Sequence, residues 1–194
     1  MTVALSKAMT QQEFFHWAEA QDARYEFDGV QPVAMTGGSL RHSRLTGNIN
    51  RQLANRLDGS GCVPLGPDAG VATVGDTVRY PDAVVTCSKL DDLGRLVPNP
   101  VVVFEVISPS SIRIDRMVKL REYGAVPTIR RYVIVESDAA TVTVLSRDGA
   151  EEPFRAAALG EDDILNLPEI GIEIPVAAIY KGIVLRETDE GTGR

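Results

Sequence analysis

The stretch Val101-Val102-Val103-Phe104-Glu105-Val106-Ile107 decides the fold of this chain. Its β-branched and aromatic composition is typical of a strand that is covered on both faces of a sheet. Glu105 is the charged residue inside it. Because an unpaired buried charge costs several kcal/mol, we expect Glu105 to have a partner, a proton or a metal ion.

A second strand-like segment lies upstream and carries an acid directly after a proline: Val78-Arg79-Tyr80-Pro81-Asp82-Ala83-Val84-Val85. Proline cannot donate a ladder hydrogen bond, so Pro81 marks an edge, a bend or a bulge. Asp82 and Glu105 on neighbouring core strands are suited to a hard divalent cation. The alternative is that Asp82 is a turn acid and Glu105 pairs with a lysine.

Helices and hairpins are predicted on both sides of these strands. The capping box Thr10-Gln11-Gln12-Glu13 starts a short helix that should end near Asp22. Further along, the patterns predict a hairpin turn at Asp28-Gly29, a helix with Leu45, Ile49, Leu53 and Leu57 on one face, a helix over residues 111–123, a hairpin over 131–145 and a short helix over 176–180.

This order of elements predicts a mixed α/β (α+β) domain with one central sheet flanked by helices. We expect a single domain over residues 1–186 and a disordered C-terminal tail over residues 187–194.

The charge composition limits how this protein could bind nucleic acid. The formal net charge is −7, which argues against a broad basic surface for nucleic acid but leaves room for a local basic stripe. Two clusters of basic residues are either such stripes or solvated helix faces: Arg41, Arg44, Arg51 and Arg56, and the run from Arg113 to Arg131.

The location of the protein is predicted from what its sequence lacks. It has no apolar run long enough for a membrane span and no signal-peptide core at its N-terminus. We therefore expect a cytoplasmic protein, and for the isolated Cys62 and Cys87 we expect no disulfide.

Three more residues are candidates for the chemistry. Lys119 is the best cationic partner for Glu105, although Asp115, four residues earlier, could hold it in an ordinary helix ion pair. Glu26 lies in the first hairpin. His42, near the start of the second helix, is either a packing residue or a proton carrier.

Taken together, these residues resemble the Uma-two-like putative restriction-endonuclease family of the PD-(D/E)XK nuclease superfamily. The resemblance runs from about Thr10 to Tyr180. Its most specific parts are Tyr80-Pro81-Asp82, then Glu105-Val106-Ile107-Ser108-Pro109-Ser110, then the spacing from Asp115 to Lys119-Leu120.

The resemblance implies a restriction-endonuclease-like core and a metal-dependent DNA endonuclease that uses Mg²⁺ or Mn²⁺. It implies Asp82, Glu105 and Glu26 as metal ligands, with Lys119 and His42 completing the catalytic set. The motif lysine would fall at Ile107, so Lys119 on the following helix is its substitute. Members with this fold often act as homodimers on DNA.

Two alternatives stay open. One is a nucleic-acid-binding or interaction module on the same fold without catalysis, which the missing lysine and the acidic charge favour. The other is a homo-oligomeric structural protein in which Asp82 and Glu105 are merely paired internally.

Overall fold

The computed structural model describes residues 9–107 and 113–185, and of residues 113–115 it describes the backbone alone. In these ranges the α-helices are α1 (Gln11–Ala18), α2 (Leu40–Leu57), α3 (Arg113–Gly124) and α4 (Val176–Ile179). The strands are β1 (Tyr25–Phe27), β2 (Pro32–Ala34), β3 (Val63–Leu65), β4 (Val71–Ala72), β5 (Val78–Arg79), β6 (Ala83–Thr86), β7 (Pro100–Ile107), β8 (Arg131–Glu136), β9 (Val142–Ser146), β10 (Arg155–Leu159), β11 (Ile164–Leu167) and β12 (Ile172–Pro175).

A six-stranded mixed sheet forms the centre of the molecule, in the order β10-β9-β8-β7-β6-β3. β7 pairs parallel with β8 and antiparallel with β6. One face packs against α2 and α4 through Val102, Phe104 and Val106. The other face, with Val103 and Ile107, packs near Tyr123 of α3. The predicted fold class is confirmed, with β7 as the doubly covered strand.

A smaller four-stranded sheet lies beside it, in the order β2-β1-β5-β4. The segment from Val78 to Val85, predicted as one strand, is therefore two strands. β5 belongs to the small sheet and β6 to the central sheet, with Tyr80-Pro81-Asp82 between them. Pro81 interrupts the ladder at this point because it has no N–H to donate.

α2 carries the predicted leucine face and has a local signal at each end. The Ser39 side chain accepts a hydrogen bond from the His42 backbone N–H and caps the helix. Gly59 follows the helix with a φ of 71°, which glycine adopts without strain. The leucine-rich face from Leu45 to Leu57 is buried against the central sheet.

The cysteine prediction was wrong, because Cys62 and Cys87 form a disulfide. β3 and β6 pair antiparallel with Val63 opposite Thr86, and this register brings the next residues face to face. No local sequence pattern at either cysteine predicts that pairing.

The boundaries of the other elements differ little from the predicted ones. The capping box of α1 is present, and α1 ends at Ala18 rather than near Asp22. The predicted tail over 187–194 and the Ser108–Ser111 segment lie outside the described residues. Among the helices that are described, none has the length and apolar character to cross a membrane.

Candidate active site

A cavity of about 580 Å³ lies where the small sheet, the central sheet and the start of α2 meet. All five residues predicted for the site line it: Glu26, His42, Asp82, Glu105 and Lys119. Four different elements and one connecting segment supply them, so the cavity forms only when these separate parts of the chain pack together.

Asp82 is held at the rim of the central sheet. Ala83 pairs with Phe104 across β6 and β7, which places Asp82 beside Glu105 one step further along the ladder. Its Oδ2 accepts a hydrogen bond from the Val106 backbone N–H at 2.7 Å, and its Oδ1 accepts one from Thr46 Oγ1 at 3.1 Å. These bonds fix a carboxylate that is only 8% exposed.

Glu105 lies near the C-terminal end of β7, lines the cavity and is 5% exposed. Its Oε1 accepts hydrogen bonds from Lys119 Nζ at 3.0 Å and from the Tyr123 hydroxyl at 2.8 Å. Burial raises the pKa of Glu105 to about 7, with Asp82 and Glu26 adding to the rise and Lys119 opposing it. The predicted lysine partner is confirmed as a contact.

Glu26 on β1 belongs to a second ion-pair network. Its Oε2 accepts from Arg79 Nη1 at 2.9 Å, and its Oε1 lies 3.6 Å from Lys119 Nζ. Arg79 also binds both carboxylate oxygens of Glu122 on α3, at 2.6 and 2.7 Å. Burial acts to lower the pKa of Arg79, but the two carboxylates outweigh it and the pKa is raised.

His42 lies in the first turn of α2 with its Nε2 3.3 Å from Asp82 Oδ2. The hydrogen bond to Asp82 raises the pKa of His42 above its ordinary value. Gly38 makes room for the ring, because a Cβ at that position would lie 2.7 Å from His42 Nδ1. His42 thus lines the cavity rather than the core.

Sequence reasoning missed four residues that hold this site: Thr46, Arg79, Glu122 and, in its role, Tyr123. Tyr123 could have been found, because it follows Lys119 by four residues and so shares its face of α3. The contact between Arg79 and Glu122 joins distant parts of the chain, and no local pattern indicates it. The Asp115 side chain, the other predicted partner of Lys119, lies outside the described residues.

The oxygen atoms in the cavity match what Mg²⁺ or Mn²⁺ prefers. In the described part of the chain, no group of three or more His, Cys, Asp or Glu side chains is arranged as a metal site. Magnesium sites commonly use one or two carboxylates and leave the remaining positions to water and substrate phosphate. Asp82, directly before β6, and Glu105, on the neighbouring β7, are two buried carboxylates that fit that smaller requirement.

Comparison with known families shows to which family the chain belongs. The model of the Uma2 family, described as "Putative restriction endonuclease", matches residues 11–177. The chain belongs to this family. The resemblance drawn from the sequence motifs is thereby confirmed.

Relatives of this Uma2 protein occur in Synechocystis sp. The uncharacterized protein slr1290 is 30% identical over 178 residues, which cover 90% of this chain and 93% of the relative. The uncharacterized protein sll1609 is 24% identical over 166 residues, covering 84% of this chain and 94% of the relative.

A solved structure shares the fold of this Uma2 protein. The crystal structure of "a putative nuclease belonging to DUF820" from Anabaena variabilis superposes with a TM-score of 0.71, covering 89% of this chain and 98% of that one. The sequence identity is 13%, so this match speaks for the fold alone.

Proposed function

We propose that this Uma2 protein is a metal-dependent endonuclease that hydrolyses phosphodiester bonds in DNA. The observation that carries the proposal is the convergence of two buried carboxylates, a lysine and a histidine on one open cavity. Membership of a family described as "Putative restriction endonuclease" supports the same reaction class.

Asp82 and Glu105 would hold Mg²⁺ or Mn²⁺, with the backbone carbonyl of Val106 as a further oxygen. The ion would polarise the scissile phosphate and acidify a bound water. Burial and the neighbouring acids already disfavour the ionised form of Glu105. A divalent cation would offset that negative charge, which is a physical reason for it to bind here.

Lys119 is the residue proposed to orient the attacking water and to offset charge that develops on the phosphate. Its Nζ lies between Glu105 and Glu26, at 3.0 and 3.6 Å from their carboxylates. Ile107, where the superfamily motif would have its lysine, also lines the cavity, so an ammonium from α3 would reach the same space.

Glu26 and His42 have supporting roles in this proposal. Arg79 already binds one oxygen of Glu26, so we assign Glu26 to placing Lys119 and to adding negative charge near the cation. His42 would contact the phosphate or the leaving group from the start of α2, on the side of the cavity opposite Lys119's helix. As a protonated imidazole it can donate a hydrogen bond or a proton.

A binding module without catalysis is the second candidate. It is favoured by the way Lys119 and Tyr123 both bind the same oxygen of Glu105, which satisfies that acid without a metal. The two candidates differ in whether divalent cations bind at Asp82 and Glu105, and in whether DNA is cut.

The test is cleavage of supercoiled, linear and single-stranded DNA with Mg²⁺, Mn²⁺ or chelator. We expect cleavage with metal by the wild type and a loss of at least about 100-fold in Asp82→Asn, since electrostatic groups at a reaction centre are commonly worth that much. The exposed Asp162→Asn is the matched control and should cleave normally.

A second readout on the same proteins measures metal binding directly. Mg²⁺ should raise the melting temperature of the wild type and of Asp162→Asn, and leave Asp82→Asn unchanged. DNA cleavage that persists in Asp82→Asn would refute the proposed site. A lack of both cleavage and metal stabilisation would favour the binding module.

A homodimer would suit an enzyme that cuts both strands of a duplex, because each copy brings one cavity. We propose this assembly by analogy with restriction-type nucleases. Light scattering of the free protein and of its complex with a duplex would measure it.

A further inference from the structure

Strand β10 (Arg155–Leu159) forms one edge of the central sheet and is exposed over most of its length. It pairs with β9 on one side and with no other strand among the residues that the structure describes. Its middle residues are Ala156, Ala157 and Ala158, and all three are exposed. Because neighbouring residues of a strand point to opposite faces, both faces of β10 are open.

The other edges of the two larger sheets carry features that discourage pairing with a further strand. β3, at the opposite edge of the central sheet, has three residues with Pro64 in the middle. In the small sheet, β2 has three residues and begins with Pro32, and β4 has two residues. Short edge strands and prolines are common means of blocking a sheet edge. β10 has five residues, no proline and no charged residue after Arg155.

The backbone groups of β10 that face away from β9 follow from the sheet register. The backbone N–H of Arg147 donates to the Arg130 carbonyl at 3.1 Å where β9 leaves β8. Hydrogen bonding alternates along an antiparallel ladder, so the odd-numbered residues of β9 bond to β8 and the even-numbered ones bond to β10. Those even-numbered residues lie opposite the odd-numbered residues of β10. Ala156 and Ala158 therefore present their N–H and C=O groups outward.

We propose that β10 is the contact surface of a homodimer, in which it pairs antiparallel with β10 of a second copy about a two-fold axis at Ala157. In this register Ala156 lies opposite Ala158 of the second copy, and Ala158 lies opposite its Ala156. Each of these pairs exchanges both of its N–H···O bonds, so the outward backbone groups of the two strands satisfy one another. A two-fold contact of this kind uses the same patch on both copies and closes on itself.

The backbone at the ends of the strand limits the register. Outward groups must meet outward groups, so the axis passes through a residue rather than between two residues. An axis at Ala158 would place Ala156 opposite Gly160, whose N–H already donates to the Asp163 side chain at 2.8 Å. An axis at Ala156 would place the last residue of β10 beyond the start of the second strand. An axis at Ala157 pairs all five residues of one strand with all five of the other.

The side chains at this contact suit a close approach of the two strands. Ala157 would face its own copy at a position without ladder hydrogen bonds, where Cα atoms lie about 4.5 Å apart and a methyl group fits. Arg155 would lie opposite Leu159 of the second copy and diagonal to its exposed Glu161. The arginine stem would cover Leu159, which is half-buried at the margin of the core, while the guanidinium meets the carboxylate.

This surface is separate from the candidate active site. In the described part of the chain, none of the residues that line the cavity belongs to β10. The inference gives a contact surface to the homodimer proposed above by analogy. It does not depend on whether the cavity cuts DNA.

The test is the mass of the full chain in solution, measured by analytical ultracentrifugation over a range of concentrations. We expect the wild type to form a dimer. Ala157→Lys and Ala157→Glu should each weaken dimerisation at least about tenfold, because two like charges meet at the axis. An equimolar mixture of the two variants should restore the dimer, because a lysine then lies opposite a glutamate.

Two further variants separate strand pairing from other effects. Ala158→Pro removes an outward N–H and leaves the bonds to β9 in place, and we expect it to weaken the dimer without adding a charge. Ala54→Lys adds a charge at an exposed alanine of α2, and it should dimerise as the wild type does. Circular dichroism reports whether each variant is folded. If Ala158→Pro does not fold, the mixture of the lysine and glutamate variants still decides the question.

The outcomes are distinct. A wild type that is monomeric at every concentration would overturn the inference, and so would a dimer that the substitutions at Ala157 leave unchanged. Lysine and glutamate variants that stay monomeric when they are mixed would overturn it too, as would equal weakening by Ala54→Lys. A dimer that the mixture restores, together with no cleavage of DNA under any metal, supports this inference and refutes the proposed nuclease.

Discussion

Replacing Glu105 with glutamine should remove a pH-dependent loss of folding stability from the metal-free protein. Burial is the main reason that the pKa of Glu105 rises from its ordinary 4.5 to about 7 in the folded state. The folded protein therefore holds this proton more tightly than the unfolded chain does. The resulting stabilisation is complete at acidic pH and is lost as the pH rises through 7.

The size of the effect follows from the two pKa values. One pKa unit corresponds to about 1.4 kcal/mol, so a carboxyl group that titrates near 7 rather than 4.5 loses about 2–3 kcal/mol of stabilisation between pH 5 and pH 8. Glutamine cannot ionise, and its amide oxygen can still accept hydrogen bonds from Lys119 and Tyr123. The stability of Glu105→Gln relative to the wild type should therefore rise by that amount between pH 5 and pH 8.

Urea unfolding of both proteins in chelator at pH 5, 6, 7 and 8 measures the difference. Groups such as His42 and Glu169 titrate in both proteins, and subtraction removes most of their contribution. The exposed Glu161→Gln is the control and should show a constant difference from the wild type. A constant difference for Glu105→Gln as well would refute the reasoning, because it would mean that Glu105 is not protonated more readily when folded.

Two further substitutions test the residues that support the site. Arg79→Met should cost about 3–5 kcal/mol in urea unfolding, because it removes the guanidinium that pairs with two largely buried carboxylates, Glu26 and Glu122; a cost below about 1 kcal/mol would contradict this. Gly38→Ala should push the His42 ring away from Asp82 and return the pKa of His42 towards 6.5, as followed by NMR titration. Gly37→Ala, where a Cβ meets no atom within 4 Å, should leave that titration unchanged.

The sequence was sufficient to predict those parts of the fold that depend on local patterns. The run around Glu105 showed a doubly covered strand because its composition has no polar face. The leucines from Leu45 to Leu57 showed a helix because they recur at the helical period. The capping box at Thr10 placed the start of α1 because its two hydrogen bonds lie within four residues.

Contacts between distant segments could not be predicted in the same way. The split at Pro81 depends on which neighbour each half of the segment finds, and those neighbours are β1, β4, β7 and β3. The disulfide between Cys62 and Cys87 depends on the register of two strands. The bond between Arg79 and Glu122 depends on where α3 packs, which no pattern within either segment encodes.

The segment Tyr80-Pro81-Asp82 connects the two sheets, so any relative motion of the sheets changes the site. Glu26 is on the small sheet and Glu105 on the central one, so the distance between them depends on how the two sheets are held together. Lys119 of α3 contacts both of these acids, and Arg79 of the small sheet binds Glu122 on the same helix. A local opening of the small sheet would take the site apart while the central sheet stayed folded, and the site would then have a shorter lifetime than the fold.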